Sequence, residues 1–194
     1  MQIINGKSGW VEVICGPMFS GKSEELIKRI RRAQIARRLV QIFKHGSDSR
    51  YDATNIVSHS QQSVPGIAVT DVNDILELVD DKTELVAIDE GQFFSEDIVA
   101  VVNRLGNQGK RVIVAGLDLD YRGNPFGPMS LLMCTAEYVT KQLAICMTCG
   151  DPANFTQRLT QATDQIVVGA SETYEARCRR HFEPPQEKKP GLKK

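Results

Sequence analysis

The sequence predicts an α/β fold, a parallel sheet covered by helices on both faces, with a smaller metal-type unit at its C-terminal end. Three observations carry this expectation. Strand-like and helical segments alternate from residue 10 to residue 137. A glycine-rich run at residues 16–23 stands between the first strand and the first helix. Two close pairs of soft metal ligands follow residue 145, where helical periodicity stops.

The elements follow in order. Residues 10–15 form a short apolar run bounded by glycines and read as a buried strand. Residues 22–38 read as a helix, with Leu26, Ile27, Ile30, Ala33 and Ile35 as its apolar stripe and the basic residues of 28–38 as a solvated face. A second strand spans 39–44, and the polar stretch 45–66 is expected to be a flexible loop around a possible short strand. Then come a short helix at 71–78 and a strand at 84–88 that ends in Asp89 and Glu90. A helix at 95–105 has Ser95 and Glu96 as start signals, and a fourth strand covers 111–117. Gly123, Pro125 and Gly127 mark 121–127 as a loop, and 130–137 is expected to be helical. From 146 to 182 short turns surround one strand-like run, 165–168. The charged, proline-containing end is expected to be disordered. The division is therefore 1–145 for the sheet unit, 146–183 for the small unit and 184–194 for the tail.

Composition excludes several classes. With 41% hydrophobic and 25% charged residues the chain has material for a core. Lys plus Arg, 24, equals Asp plus Glu, 24, so no global positive charge draws in nucleic acid. No apolar run approaches the ~20 residues of a membrane span, and none of signal-peptide length precedes the first strand. A cytoplasmic protein is expected, without nucleic-acid or membrane partners. In a reducing compartment the paired cysteines favour a metal over a disulfide. Cys15 and Cys134 read as core thiols, and His45 and His59 carry no assigned role.

Residues Gly16, Pro17, Met18, Phe19, Ser20, Gly21, Lys22 and Ser23 satisfy G-x-x-x-x-G-K-[ST] between strand and helix. Glycine lets the backbone wrap a triphosphate with several N–H groups, and the helix N-terminus faces the same anion. Lys22 adds charge near the β- and γ-phosphates, and the Ser23 hydroxyl suits Mg²⁺. Asp89, ending a hydrophobic strand, has the position of a second Mg²⁺-binding group. Glu90 is either a general base at the sheet edge or a solvated loop acid; pattern alone leaves both open. Arg50, in the polar loop, reads as a surface arginine unless it reaches the transferring phosphate.

Cys146-x-x-Cys149 and Cys178-x-x-His181 form two knuckles, each placing two ligands on one tight turn. Together they close a tetrahedron around Zn²⁺, a structural site because four protein ligands leave no open position.

GPMFSGKS, DSRY, DEGQFF, VIVAGLD, NPFG and VGASETYEARCRRH, in that order, resemble the type II thymidine kinases over residues 9–182. The resemblance implies a RecA-like P-loop domain and a zinc-binding lasso that closes over thymidine. It implies transfer of the γ-phosphate of ATP to the thymidine 5′-hydroxyl, giving dTMP and ADP. On it, Gly16 to Ser23 hold the phosphates, with Asp48, Arg50, Asp89 and Gln92 on the nucleotide and Mg²⁺ side. Glu90 becomes the base. Met18, Phe93, Leu117, Tyr121, Thr156 and Tyr174 surround the nucleoside, and Gln165, Ile166, Val167, Val168 and Gly169 offer it backbone hydrogen bonds. A homotetramer and feedback inhibition by dTTP are also implied. The familiar family form has a fourth cysteine where this chain has His181. The competing expectation is a P-loop ATPase whose zinc ribbon acts on nucleic acid.

Overall fold

Alternation along the strands decides the layers. In β1 (Trp10–Cys15), Val11, Val13 and Cys15 enter one apolar layer while Ile14 enters the opposite one. The computed structural model describes residues 8–46, 55–57, 63–161, 164–165, 167 and 172–185. Besides β1, the main sheet contains β2 (Val40–His45), β5 (Ile67–Val69), β6 (Leu85–Asp89), β7 (Arg111–Gly116) and β8 (Tyr138–Lys141). The order is β5-β2-β6-β7-β1-β8, and every neighbouring pair is parallel. Between β2 and β5 lies an antiparallel hairpin, β3 (Asn55–Val57) with β4 (Ser63–Pro65).

Helix α1 (Lys22–Ile35) covers one face, where Leu26, Ile27 and Ile30 meet Ile14, Ala87, Ile113 and Ala115. These three side chains are fully buried, each contributing about 2 kcal/mol by removal from water. The other face is covered by α2 (Asn73–Leu78), α3 (Asp97–Asn107) and α4 (Met129–Thr135). The α/β class and its parallel sheet therefore stand as expected. Among the described residues no helix is long and apolar enough to cross a membrane.

Several local expectations fail for identifiable reasons. Helix α1 ends at Ile35, not 38, because Arg37 adopts φ 58°. Arg38 N then donates to Ala33 O and Arg37 N to Gln34 O, a closing pattern that satisfies the last carbonyls. Ile35, placed in the apolar stripe, is 83% exposed. Cys15 is buried as expected, but Cys134 is exposed on α4. Strand β8 was hidden in polar residues because, as an edge strand, only part of it packs. Beyond β8 lie two small antiparallel pairs, β9 (Ala144–Ile145) with β10 (Pro152–Ala153) and β11 (Phe155–Arg158) with β12 (Tyr174–Arg177). Gln165 and Val167, the described members of the strand-like run, lie in no strand.

The basic face of α1 is not simply solvated. Arg29 turns inward, donating from Nη1 to Glu12 Oε2 (2.7 Å), from Nε to Glu25 Oε1 (2.9 Å) and from Nη2 to Thr140 Oγ1 (2.8 Å). Glu12, 1% exposed in mid-strand, also accepts from Trp10 Nε1 (2.7 Å) and from Arg111 Nε (2.6 Å) and Nη2 (3.1 Å). Burial pushes this carboxyl up, but hydrogen bonds from Arg111 and Trp10 and the charges of Arg111 and Arg29 outweigh it. Its pKa is held below the ordinary 4.5. The stability it contributes is complete above that value and is lost as pH falls through the lower folded value. Glu12→Ala, which strands two arginines, is expected to lower unfolding free energy by about 3–5 kcal/mol. Urea titration at pH 7 measures this, and the gap between variant and parent should narrow in acid.

Candidate active site

Residues 16–23 leave the C-terminal end of β1 and enter α1. Gly16 sits at φ 140°, and a Cβ there would lie 2.2 Å from the Gln142 carbonyl oxygen. Phe19 (φ 65°) and Gly21 (φ 83°) are left-handed too, curling the chain into the concave turn that an oxyanion needs. Ser20 Oγ and Lys22 Nζ both donate to Pro17 O, at 2.8 and 2.7 Å, bracing the loop across its width. No side chain caps the start of α1, so its first N–H groups are suited to an anion.

Strand β7 separates β1 from β6, so the loop and Asp89 flank the end of β7, where Leu117 follows. A cleft results, lined among others by Lys22, Ser23, Asp89, Glu90, Met18 and Leu117. Glu90 is in the left-handed region at φ 56°, ψ 41°, a conformation costing a non-glycine residue about 1–3 kcal/mol. Its N–H donates to Asp89 Oδ1 (3.0 Å), and the turn Gly91–Phe93 follows directly. The strained corner places two consecutive carboxylates at the cleft.

Gln92, expected on the nucleotide side, is 3% exposed and bonded within the protein. Its Oε1 accepts from Leu117 N (3.0 Å), which aims Nε2 at Glu90 Oε2. Gly116 makes room for this, since a Cβ there would lie 2.7 Å from Gln92 Oε1. Beneath the loop, buried Asp118 pairs with Lys141 Nζ at 2.7 Å. Burial, then the Asp118 charge, push the Cys15 thiol up to about 11, so it stays protonated and inert at neutral pH.

Residues that the family resemblance assigns to the nucleoside are largely brought together. Met18, Tyr121 and Tyr174 form one buried cluster with Phe19, Leu117 and Val167 packed against it. Thr156, on β11, accepts from Met18 N through Oγ1 at 3.0 Å, tying the phosphate loop to the C-terminal unit. Phe93 packs edge-on against Phe126, with ring centroids 5.9 Å apart, and near His45. Gln165 lies at an exposed position. Asp48, Arg50, Ile166, Val168, Gly169 and His59 lie outside the described residues. One participant escaped the sequence reading. Arg158 is buried beside this cluster, its guanidinium carbon 3.5 Å from the Tyr121 ring centroid. The one available signal was its inward phase in the alternation of Phe155–Arg158, visible only once that strand is known.

The knuckles meet as the spacing requires. The ligand atoms of Cys146, Cys149, Cys178 and His181 all lie within 4.8 Å of one another. Cys149 and Cys178 sulfurs are 3.7 Å apart, and His181 Nδ1 is 3.8 and 3.4 Å from the Cys146 and Cys178 sulfurs. A zinc tetrahedron has edges of about 3.8 Å between sulfurs and about 3.5 Å from sulfur to nitrogen, from bonds near 2.3 and 2.0 Å. Donor set and spacing both fit a closed Zn²⁺ site. Gly150 N to Cys146 O (2.9 Å) and His181 N to Cys178 O (3.0 Å) close the two turns.

A strand, a glycine-rich loop and a helix carrying Lys22 and Ser23, with Asp89 and Glu90 across the cleft, define a P-loop phosphotransferase. A family model described as thymidine kinase matches residues 9–182. The thymidine kinase of Rhodothermus sp. (strain ITI 518) is 54% identical over 181 residues, covering 93% of this chain and 84% of the relative. The chain belongs to the thymidine kinase family; it is a nucleoside kinase, and membership implies ATP as phosphoryl donor.

Protein purified without chelator is expected to carry one Zn²⁺ per chain, measurable by elemental analysis. His181→Ala should lose zinc and raise KM for the nucleoside more than KM for ATP. Full activity in a zinc-free preparation contradicts this assignment.

Proposed function

We propose that this enzyme transfers the γ-phosphate of ATP to the 5′-hydroxyl of thymidine, giving dTMP and ADP. The observation that carries the reading is the junction of two half-sites. Lys22, Ser23, Asp89 and Glu90 line one cleft together with Met18 and Leu117, and the latter two also pack with Tyr121 and Tyr174. The donor's phosphates lie in the 16–23 loop, held by backbone N–H groups and Lys22. Ser23 and Asp89 would hold Mg²⁺, which when bound neutralises charge on the phosphates.

Glu90 takes the 5′-hydroxyl proton as that oxygen bonds to the γ-phosphorus and the bond to the ADP oxygen breaks. Gln92 keeps the carboxylate turned to its task, since its amide orientation is dictated by Leu117 N–H. Little covalent chemistry falls to the protein; positioning and charge do the rest. On the same reading Asp48 and Arg50 approach the phosphates, Phe93 flanks the nucleoside, and the backbone of 165–169 reads thymine. Closing that segment keeps water from the γ-phosphate and so suppresses ATP hydrolysis.

On this reading the segment beyond residue 145 adds Thr156, Tyr174 and 165–169 to nucleoside contacts that Met18, Leu117 and Tyr121 supply from the sheet unit. Feedback by dTTP is consistent with a molecule that carries both thymine and phosphates and so spans both half-sites. A homotetramer finds support in Val139, Leu143, Ile145 and Met147, exposed apolar residues along the β8 edge and beyond. A cytoplasmic location accords with reduced metal-binding thiols.

Two outcomes test the reading. With ATP and Mg²⁺, thymidine is expected to be phosphorylated while deoxycytidine and purine deoxynucleosides are poor acceptors; product assays with all four nucleosides decide. Glu90→Gln should retain ATP binding and lose roughly a hundredfold or more in kcat, the range for a missing general base. Wild-type turnover in that variant removes Glu90 from the chemistry.

A further inference from the structure

We propose that Arg158 is a positioning residue for the nucleoside, gathering the carbonyls of Asp164, Gln165 and Val167 over the Tyr121–Tyr174 cluster. The inference rests on the thymidine reading above. Arg158 ends β11 with its side chain buried, 7% exposed. Nη1 donates to Asp164 O, and Nη2 donates to Gln165 O and to Tyr174 Oη, both at 2.9 Å. Tyr174 Oη donates in turn to Val167 O at 2.9 Å. The guanidinium also stacks on Tyr121, with Tyr174 at 5.4 Å on the same cation.

Asp164, Gln165 and Val167 belong to no helix or strand, so their carbonyls have no ladder partners, and Asp164 and Gln165 are otherwise exposed. Arg158 and Tyr174 supply the missing partners. Packing alone is a poor account of the residue. Removing a guanidinium from water costs several kcal/mol, and an apolar side chain of similar volume fills a core as well or better. A planar fork donating in several fixed directions is suited to setting peptide orientations instead. Because a trans peptide points its N–H opposite its C=O, fixing the Asp164 carbonyl also fixes the direction of the Gln165 N–H donor.

Strand β11 thereby serves both substrates with separate residues. Thr156 holds Met18 N of the phosphate loop, while Arg158 holds the segment beyond. Damage at Arg158 should therefore fall on one substrate.

The experiment compares wild type, Arg158→Met and Arg158→Lys with zinc bound, by steady-state kinetics and by hydrogen exchange without nucleoside. Arg158→Met is expected to raise KM for thymidine roughly tenfold or more and to leave KM for ATP within about twofold, with exchange accelerated around 164–167. Arg158→Lys, which keeps a donor but not the fork, should recover part of the thymidine KM. An unchanged thymidine KM overturns the proposal. So does an equal rise in both KM values with zinc loss, which marks a merely structural residue. If Arg158→Met does not fold, Tyr174→Phe keeps the ring and removes the bond to Val167 O. The same KM split then supports the proposal, and its absence overturns it. Should wild type not phosphorylate thymidine, the substrate reading fails by itself. The exchange comparison still decides Arg158: acceleration supports positioning and unchanged exchange refutes it.

Discussion

Parallel register among three central strands is the constraint on which the site depends. Trp10 of β1 and Leu85 of β6 both stand opposite Arg111 of β7, so the three strands run level to their C-terminal ends. The phosphate loop, Leu117 and the Asp89–Glu90 corner consequently emerge at one edge of the sheet, as ligand sites of open α/β sheets do. A slip of one residue in β6 would turn Asp89 to the opposite face and dissolve the cleft. The two apolar layers prevent it, because the same slip would exchange Val86 and Ile88 with Leu85 and Ala87 between helices of different shape.

Buried charge recurs in this molecule, each time in a directional arrangement. Glu12 sits in the layer facing α1, where its two arginines come from α1 and β7 and fix how helix and sheet approach. Arg158 does for an irregular segment what Glu12 does for a helix. Both side chains are buried and satisfied by several hydrogen bonds. What charge adds is geometry: hydrogen bonds at set angles allow one arrangement where hydrophobic contact tolerates several.

Family resemblance and geometry meet most closely at Met18. Met18 belongs to the phosphate loop by sequence, yet its side chain packs with Tyr121 and Tyr174 and its N–H is held by Thr156. One residue thus registers the 16–23 loop against the Tyr121–Tyr174 cluster. Cys146, Cys149, Cys178 and His181 flank the stretch carrying Thr156, Arg158 and Tyr174, so a metal held by them would anchor both of its ends.

The phosphate loop, the acid-tipped strand and the two knuckles were legible in the sequence because each is a local device. Spacing of a few residues specifies a turn, and the chemistry lies within that turn. Strands β1, β6 and β7 were legible too, since burial on both faces leaves runs that are apolar apart from Glu12 and the strand ends. The edge strand β8 and the pair β11 and β12 were not, because half-buried short strands share their composition with loops. Nor could periodicity reveal that Arg29 leaves the solvent to meet Glu12, that Gln92 spends its amide on Glu90 and Leu117, or that Arg158 is buried. Those partners are distant in the chain or joined across a turn, and only the packed fold brings them within bonding distance. Sequence alone determined which chemical groups are present and the short turns that display them. Tertiary structure decided which faces water and which is removed from it, because desolvation depends on every neighbour at once.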